Sequence, residues 1–428
     1  MRSLSCMVIA ALCLAAPSMA AWGQSHYSVS PLPTLGGTFS SGNSIDDLGL
    51  VSGVSNFPGD TYGHAALWLN GSVHDLGTLG GLNSDIQWPV KSNTGVLAGI
   101  AQTGKPDPLG ESWSCAGFFP AATGASSTCL GFVWTWGHMR ALPTLGGNNG
   151  FAAGANDLGQ VTGWAENAFH DPTCDTANSG QVLQFRPVIW GPGPNQVREL
   201  PLEAGDTSGA ATAINDRGQA VGISGICDQA VGRYTARHAV LWQRGTVIDL
   251  GNLGGVAWHT PMAINLQGHV AGFSNVSASD GGTLHEHAFL WTPGSGMQDL
   301  GTLYPDDVHS QATGINARDQ VVGLSCTAHF ASCHAFLWQN GAMTDLNALM
   351  TGYDGLMAQA LDINDEGVIT GLAVDAASGK QVAFVARPVN GGSGYHSSAR
   401  TIPDVAMPDA MRTQLLRRLK LDRASLVP

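Results

Sequence analysis

Charge is what this chain has least of. Only 12% of its 428 residues are Asp, Glu, Lys or Arg, and 19 Lys and Arg stand against 32 Asp and Glu, a formal net charge of −13. A nucleic-acid partner calls for a basic face that neutralises phosphates, so this balance argues against one. Long apolar runs are missing as well. Beyond the N-terminus no segment approaches the ~20 apolar residues of a membrane-spanning helix, so no transmembrane segment is expected. Reaction signatures are equally scarce. There is no G-x-S-x-G elbow and no phosphate-cradling G-x-x-x-x-G-K. His285, Glu286 and His287 lack the spacing that sets two metal ligands on one helical face. Asp362 to Gly367 begins like a calcium loop, but Ala373 stands where the bidentate Glu belongs. The cysteines lack the paired C-x-x-C spacing of a metal site. No metal and no cofactor is therefore expected.

What is present in quantity is repetition. His64 to Leu76 reads HAALWLNGSVHDL, and His238 to Leu250, His287 to Leu300 and His334 to Leu346 are variants of it. A second phrase alternates with the first: AINDRGQAVGIS from Ala213 to Ser224, with relatives from Ala263 and Gly314. Its glycine recurs as Gly53, Gly99, Gly163, Gly222, Gly272, Gly323 and Gly371. The interval is about fifty residues, the size of a propeller blade. Each unit reads as four short strands. In the fourth, GAATAIN reverses at Asn215 to Gly218 into QAVGIS, and HAVLWQ reverses at Arg244 and Gly245 into TVIDL. The second unit, Lys91 to Ile100 with Gly131 to Leu142, diverges most.

The seventh unit is incomplete. Asp362 to Ala373 supplies two strands and Gln381 to Pro388 a third, and no fourth follows. The missing piece stands at the other end of the chain, where His26 to Gly37 matches the close of a unit such as Arg140 to Gly147. The expected fold is thus all-β: a seven-bladed β-propeller of four-stranded antiparallel blades over residues 27–388, closed by the N-terminal strand completing the last blade. Closure of this kind hides edges that would otherwise invite aggregation.

The H-A-F-L-W phrase, the L-G-T-L-G-G link at Leu76 to Gly81 and the I-N-x-x-G-x-V-x-G phrase together resemble the bacterial extracellular HAF-repeat family over about residues 27–388. The resemblance implies a fold and an exported location. It implies no established reaction and brings no catalytic residues with it.

The flanks read differently. Arg2, the apolar run from Met7 to Ala16 and small residues ending at Ala20 have the layout of a secretory signal peptide over residues 1–20. Its removal leaves six of the eight cysteines in an exported protein, where disulfides persist. Cys115 with Cys129, and Cys326 with Cys333, each bracket one loop. Cys174 and Cys227 fall at matching places in successive units and could join neighbouring blades. Six cysteines allow 15 pairings, and sequence alone does not choose. Residues 389–428 read as a linker, NGGSG at Asn390 to Gly394, and a tail whose residues 408–421 form a short amphipathic helix. Met411, Leu415 and Leu419 make its stripe, with Arg412, Arg417, Arg418 and Lys420 elsewhere.

Chemistry is sought where the copies differ. The repeated His64, His238, His287 and His334 lie at equivalent places on separate blades, so a local hydrogen bond is expected of each rather than a shared metal. The hairpin turns are uniform, whereas the connections between the second and third strands and between blades vary, 101–130 and 165–185 most of all. Both variable sets fall on one face, the natural place for binding residues on a rigid scaffold. The inter-blade links place Asp85, Trp88, Phe151, Trp258, His259, Asp306, Asp307, His309, Tyr353 and Asp354 around the channel mouth as candidate ligand-binding residues. Aromatics mixed with acids suit a sugar, and the expected partner is a glycan or an envelope protein. The alternatives are a glycan hydrolase or lyase using acids at that mouth, and a structural or adhesive envelope protein.

Overall fold

The computed structural model describes residues 26–111, 115, 117–119, 123, 127–174, 180–227, 235–276, 285–389 and 412. The expected leader, and the expected tail helix apart from Arg412, lie outside the described residues.

The described residues form seven sheets in sequence around one axis, six of four antiparallel strands and one of five. In blade 1, Ser40–Ile45, Val51–Asn56, Gly63–Leu69 and Ser72–Asp75 follow one another from the axis outward. Blade 4 repeats the order with Ser208–Ile214, Ala220–Gly225, His238–Gln243 and Thr246–Asp249. In blade 2 the inner strand is only Ser84–Asp85, earlier in the chain than the Lys91 start read from the repeat phrase.

The recurring glycines have a common steric cause. Opposite them, the inner strand of every blade but the second carries a register shift, for example between Ala211 and Ala213. In every blade a backbone carbonyl of the inner strand crowds the second strand, beside a bulge in six of them and without one at Gly99 of blade 2. A Cβ at Gly222 would stand 2.0 Å from the Ala210 oxygen, and one at Gly53 1.9 Å from that of Ser41. The other five glycines meet the same obstruction at 1.9 to 2.3 Å. No side chain fits there, which is why the residue never varies among the copies.

Blade 7 closes the wheel with the start of the chain. Its inner strands are Leu356–Ile363, Ile369–Val374 and Gln381–Val389, and His26–Pro31 pairs antiparallel with the last of these, from His26 opposite Val389 to Pro31 opposite Phe384. A fifth strand not anticipated from the repeats, Met350–Thr351, lies parallel to Tyr27 and Ser28 and covers the outer edge. Tyr27 is buried, and burial pushes its phenol up to about 12.

Between blades, polar pins repeat at intervals of one unit. The Trp68, Trp190 and Trp242 indoles donate to the carbonyls of Pro33, Pro143 and Pro201 in the preceding links. The Asn side chains that open the inner turns donate to the next turn along, Asn156 to Asn215, Asn215 to Asn265, Asn265 to Asn316 and Asn316 to Asn364. Asn364 then donates to the Asp46 carbonyl, carrying the belt over the seam into blade 1.

Candidate binding face

Alternation of strand direction sorts the loops into two ends. One end holds the short reversals after the first and third strands, and we call it the turn face. The other, the connection face, holds the longer segments joining the second strand to the third and each blade to the next. The three disulfides among the described residues all clamp this second end. Cys115 bonds Cys129 within blade 2, Cys326 bonds Cys333 within blade 6, and Cys174 bonds Cys227 between blades 3 and 4. The pairing left open by the sequence is therefore the local one in two cases and the inter-blade one in the third.

The aromatic residues expected around the channel mouth do converge, but on one another. Trp88, Phe151, Trp258 and His259 are all buried, at 2% exposure or less. Phe151 stacks on Trp164 at 4.3 Å, and Trp88 meets Phe151 edge-on at 5.1 Å. The Trp88 indole of blade 2 reaches Met262 of blade 5 at 3.3 Å, so the plug spans the axis. Trp258 is brought there by a bulge between Gly254 and His259 in which it takes φ of 70°, a conformation unusual for a bulky residue. One apolar cluster continues through these residues to Leu324 and Phe330 of blade 6 and Leu372 of blade 7. The His259 imidazole bonds Ser274 Oγ at 2.8 Å, and burial lowers its pKa to about 4.

The acids separate into inward and outward sets. Asp85 is buried and accepts from the Gln87 amide. Asp307 turns inward and accepts from Ser325 Oγ at 2.6 Å, as Asp206 does from Ser224. Asp306 and Asp354 are exposed, and Tyr353 beside the latter is half-buried. Asp85 and Asp306 thus occupy different parts of the wheel and different environments, one buried and one exposed.

Two polar clusters lie beneath the connection face, and of their residues only His309 is among the sequence candidates. Between blades 5 and 6, Glu286 is buried and accepts from Gln311 at 2.8 Å, while its other oxygen lies 2.8 Å from His309 Nδ1. His309 stacks on Phe330 at 4.3 Å and is met edge-on by His285. Between blades 2 and 3, Gln181 donates to both Glu111 and Glu166, at 3.0 and 3.1 Å. Glu166 also accepts the amides of Asn148 and Asn149, and Glu111 those of Val182 and Leu183. Both glutamates are buried. Burial first, and then the charge of Glu111, push Glu166 up to about 7, and burial raises Glu111 as well. The available signal was departure from the repeat. Glu166 stands where other copies carry Asn56, Gln102, Gly225 or Asn275, and Glu286 where they carry Gly63 or Arg237.

The repeated histidines bond within their own blades. His64, His238, His287 and His334 each approach the aspartate of the neighbouring outer strand, Asp75, Asp249, Asp299 and Asp345, at 2.8 to 3.0 Å. For Asp75, Asp299 and Asp345 burial pushes the carboxyl up, but the histidine bond and a backbone or side-chain donor outweigh it, and each sits below its ordinary range. Among the described residues, no three His, Cys, Asp or Glu are grouped to hold a metal ion, and no helix is long and apolar enough to cross a membrane.

No family model and no curated protein matches the chain. Among solved structures it is similar to Pyrococcus horikoshii acylaminoacyl peptidase at 9% identity and a TM-score of 0.42, over 86% of this chain and 52% of that one. It is also similar to Trypanosoma rangeli sialidase in complex with sialic acid, at 13% identity and a TM-score of 0.36, over 75% of this chain and 56% of that one. Porphyromonas gingivalis dipeptidyl peptidase 4 matches at 10% identity and a TM-score of 0.26, over 78% and 44%. The chain spans about half the length of these proteins, and at such identities the likeness is one of fold alone.

Proposed function

We propose that this protein is an exported binding propeller of the HAF-repeat type that engages a glycan or an envelope protein through its connection face. The observation that carries the reading is the placement of the cross-links. Three disulfides tie down the strand-two to strand-three connections and none touches the turn face. Covalent bracing of variable loops lowers the entropy cost of presenting them to a ligand, and disulfides suit an oxidising compartment. On that face Phe169 of blade 3 is 69% exposed, and Tyr304 and Asp306 are exposed on the separate link between blades 5 and 6, two spots that each offer a ring for stacking on a sugar, the second with an acid to bond its hydroxyls. A glycan-array screen of the protein, with Phe169→Ala and Asp306→Ala tested on every hit, checks the reading. A drop of about tenfold or more in affinity supports it. Unchanged binding in both variants removes this face from consideration.

The hydrolase reading draws on one observation, the buried carboxyl pair in which Glu166 is raised to about 7 beside Glu111. Carboxyls with separated affinities for protons are what acid–base chemistry uses. Hydrolysis of a chromogenic glycoside that disappears in Glu166→Gln favours this reading, and inactivity of the wild type across substrates opposes it.

A further inference from the structure

The belt of asparagine side chains on the turn face is broken between blades 1 and 2. Asn156, Asn215, Asn265, Asn316 and Asn364 each donate a side-chain N–H to the turn of the next blade. The same place in blades 1 and 2 holds Asp46 and Ser92. A carboxylate has no proton to give. Asp46 only accepts, taking the Leu50 amide at 2.8 Å, and Ser92 bonds Thr94 of its own turn.

A gap opens at this break. Asp46, Leu50 and Ser52 of blade 1 and Val90, Ser92 and Leu97 of blade 2 line about 350 Å³, part of it open to solvent, and the half-buried Trp134 indole completes the wall. That is the size of a small-ligand site. Ser44 Oγ accepts the Val90 amide at 2.8 Å and donates to the Val90 carbonyl at 3.1 Å, which holds the two blades in register beside it. The lining departs from the repeat in both size and polarity. Ser52 stands where blades 4 and 6 carry Val221 and Val322, and Leu50 where they carry Gln219 and Gln320.

Two polar groups in the gap have bonding capacity to spare. Ser52 is 2% exposed, and its hydroxyl makes no hydrogen bond among the described residues. Thr162 and Thr370, at the same place in blades 3 and 7, bond carbonyls of the third strand at 3.1 and 2.8 Å. Asp46 is 7% exposed and has no ion pair among the described residues. Lys91, beside Ser92, is committed to Asp362 and the Ile363 carbonyl, and Arg217 and Arg318 belong to the turns of blades 4 and 6. Burial pushes the Asp46 carboxyl up, the Leu50 amide opposes the rise, and the charge of Asp47 adds to it. A cation that brings its own donors relieves such a carboxylate. An indole face attracts the same charge, and the leucine and valine walls suit a carbon body.

We infer that the gap between blades 1 and 2 binds a small organic ammonium, whose N–H groups donate to Asp46 and Ser52 while its apolar body lies against Leu50, Leu97 and Trp134. This site is on the turn face, apart from the connection face and its disulfides.

Benzylamine tests it, with benzyl alcohol as the neutral molecule of the same shape, on the full chain carrying labelled leucine methyls. Millimolar benzylamine is expected to shift the methyl resonances of Leu50, Leu67 and Leu97 and to leave Leu109 on the connection face unmoved. Benzyl alcohol is expected to bind about tenfold or more weakly. Asp46→Asn installs the residue that five other copies carry, so the fold is kept, and it weakens benzylamine by the same factor. Ser52→Val, the residue of blades 4 and 6, fills the gap and removes the shifts. Equal affinity for the amine and the alcohol overturns the inference, and so does an Asp46→Asn variant that binds benzylamine like the wild type. Unmoved resonances at the three lining leucines overturn it as well.

Discussion

Lys91 of blade 2 reaches past blade 1 to donate to the Asp362 carboxylate of blade 7, and also to the Ile363 carbonyl at 2.8 Å. Asp362 is buried and accepts the Ile45 amide of blade 1 at 2.9 Å as well, so one carboxylate ties three blades together at the seam. Burial raises Asp362, and the lysine's charge opposes that rise.

Replacing Lys91 by Met leaves this buried carboxylate unpaired and is expected to cost about 3–5 kcal/mol. The double variant Lys91→Met with Asp362→Asn recovers most of the loss, because the amide still accepts the Ile45 N–H without a charge to bury. Urea unfolding of the two variants measures both terms. A single variant within about 0.5 kcal/mol of wild type removes the pair from the account of closure.

Gly222→Ala puts a methyl 2.0 Å from the Ala210 carbonyl and forces the bulge to move. The expected cost is about 2–4 kcal/mol, in the range of overpacking inside a rigid core. Gly294 has open space around its Cβ position and no positive φ, so Gly294→Ala is the matched control and stays near wild type. Equal stabilities in thermal unfolding would contradict the steric origin of the repeat glycine.

Two buried groups give stability opposite slopes with pH. Glu166 is raised to about 7 in the fold, so its contribution is complete below about 4.5 and is lost as pH rises through 7. His259 is lowered to about 4, so its contribution is complete above about 6.5 and is lost as pH falls through 4. Each is worth about 3 kcal/mol at full extent. Denaturation series from pH 4 to 8 are expected to show Glu166→Gln gaining on wild type toward pH 8, and His259→Asn losing its acid limb. Parallel curves for either variant rule that group out as a source of pH dependence.

The cross-link between blades encloses the longest loop, with Cys174 and Cys227 separated by 53 residues against 7 for Cys326 and Cys333. Chain-entropy arithmetic gives about 4 kcal/mol for the first and about 2 for the second. Paired Cys→Ser variants are expected to rank in that order by thermal unfolding, and a reversed order would point to strain or denatured-state structure rather than loop entropy.

The wheel was legible because the same local problem is solved in every blade. A carbonyl that crowds Gly222 crowds Gly371 in the same way, and an indole that clamps Pro201 has a counterpart that clamps Pro33. Closure was legible for a related reason, since a missing outer strand at one terminus and a spare at the other are visible in the letters. The centre was not legible, because the inter-blade links share an opening phrase and then diverge, so the residues that reach the axis have no copies to compare. Trp88 and Trp258 look like a binding pair from their positions, and only the bulge before His259 and the contact with Met262 turn them inward. The acid pair escaped for a different reason: Glu111 and Glu166 are 55 positions apart, and the fold alone brings them to a common amide at Gln181.

The pairing of His26–Pro31 with Gln381–Val389 has a bearing on biosynthesis. The first described strand to leave the ribosome finds its place only after the last strand has emerged, so a nascent chain can stack blades but cannot lock them. A protein assembled in that order stays pliable until its final blade has been made.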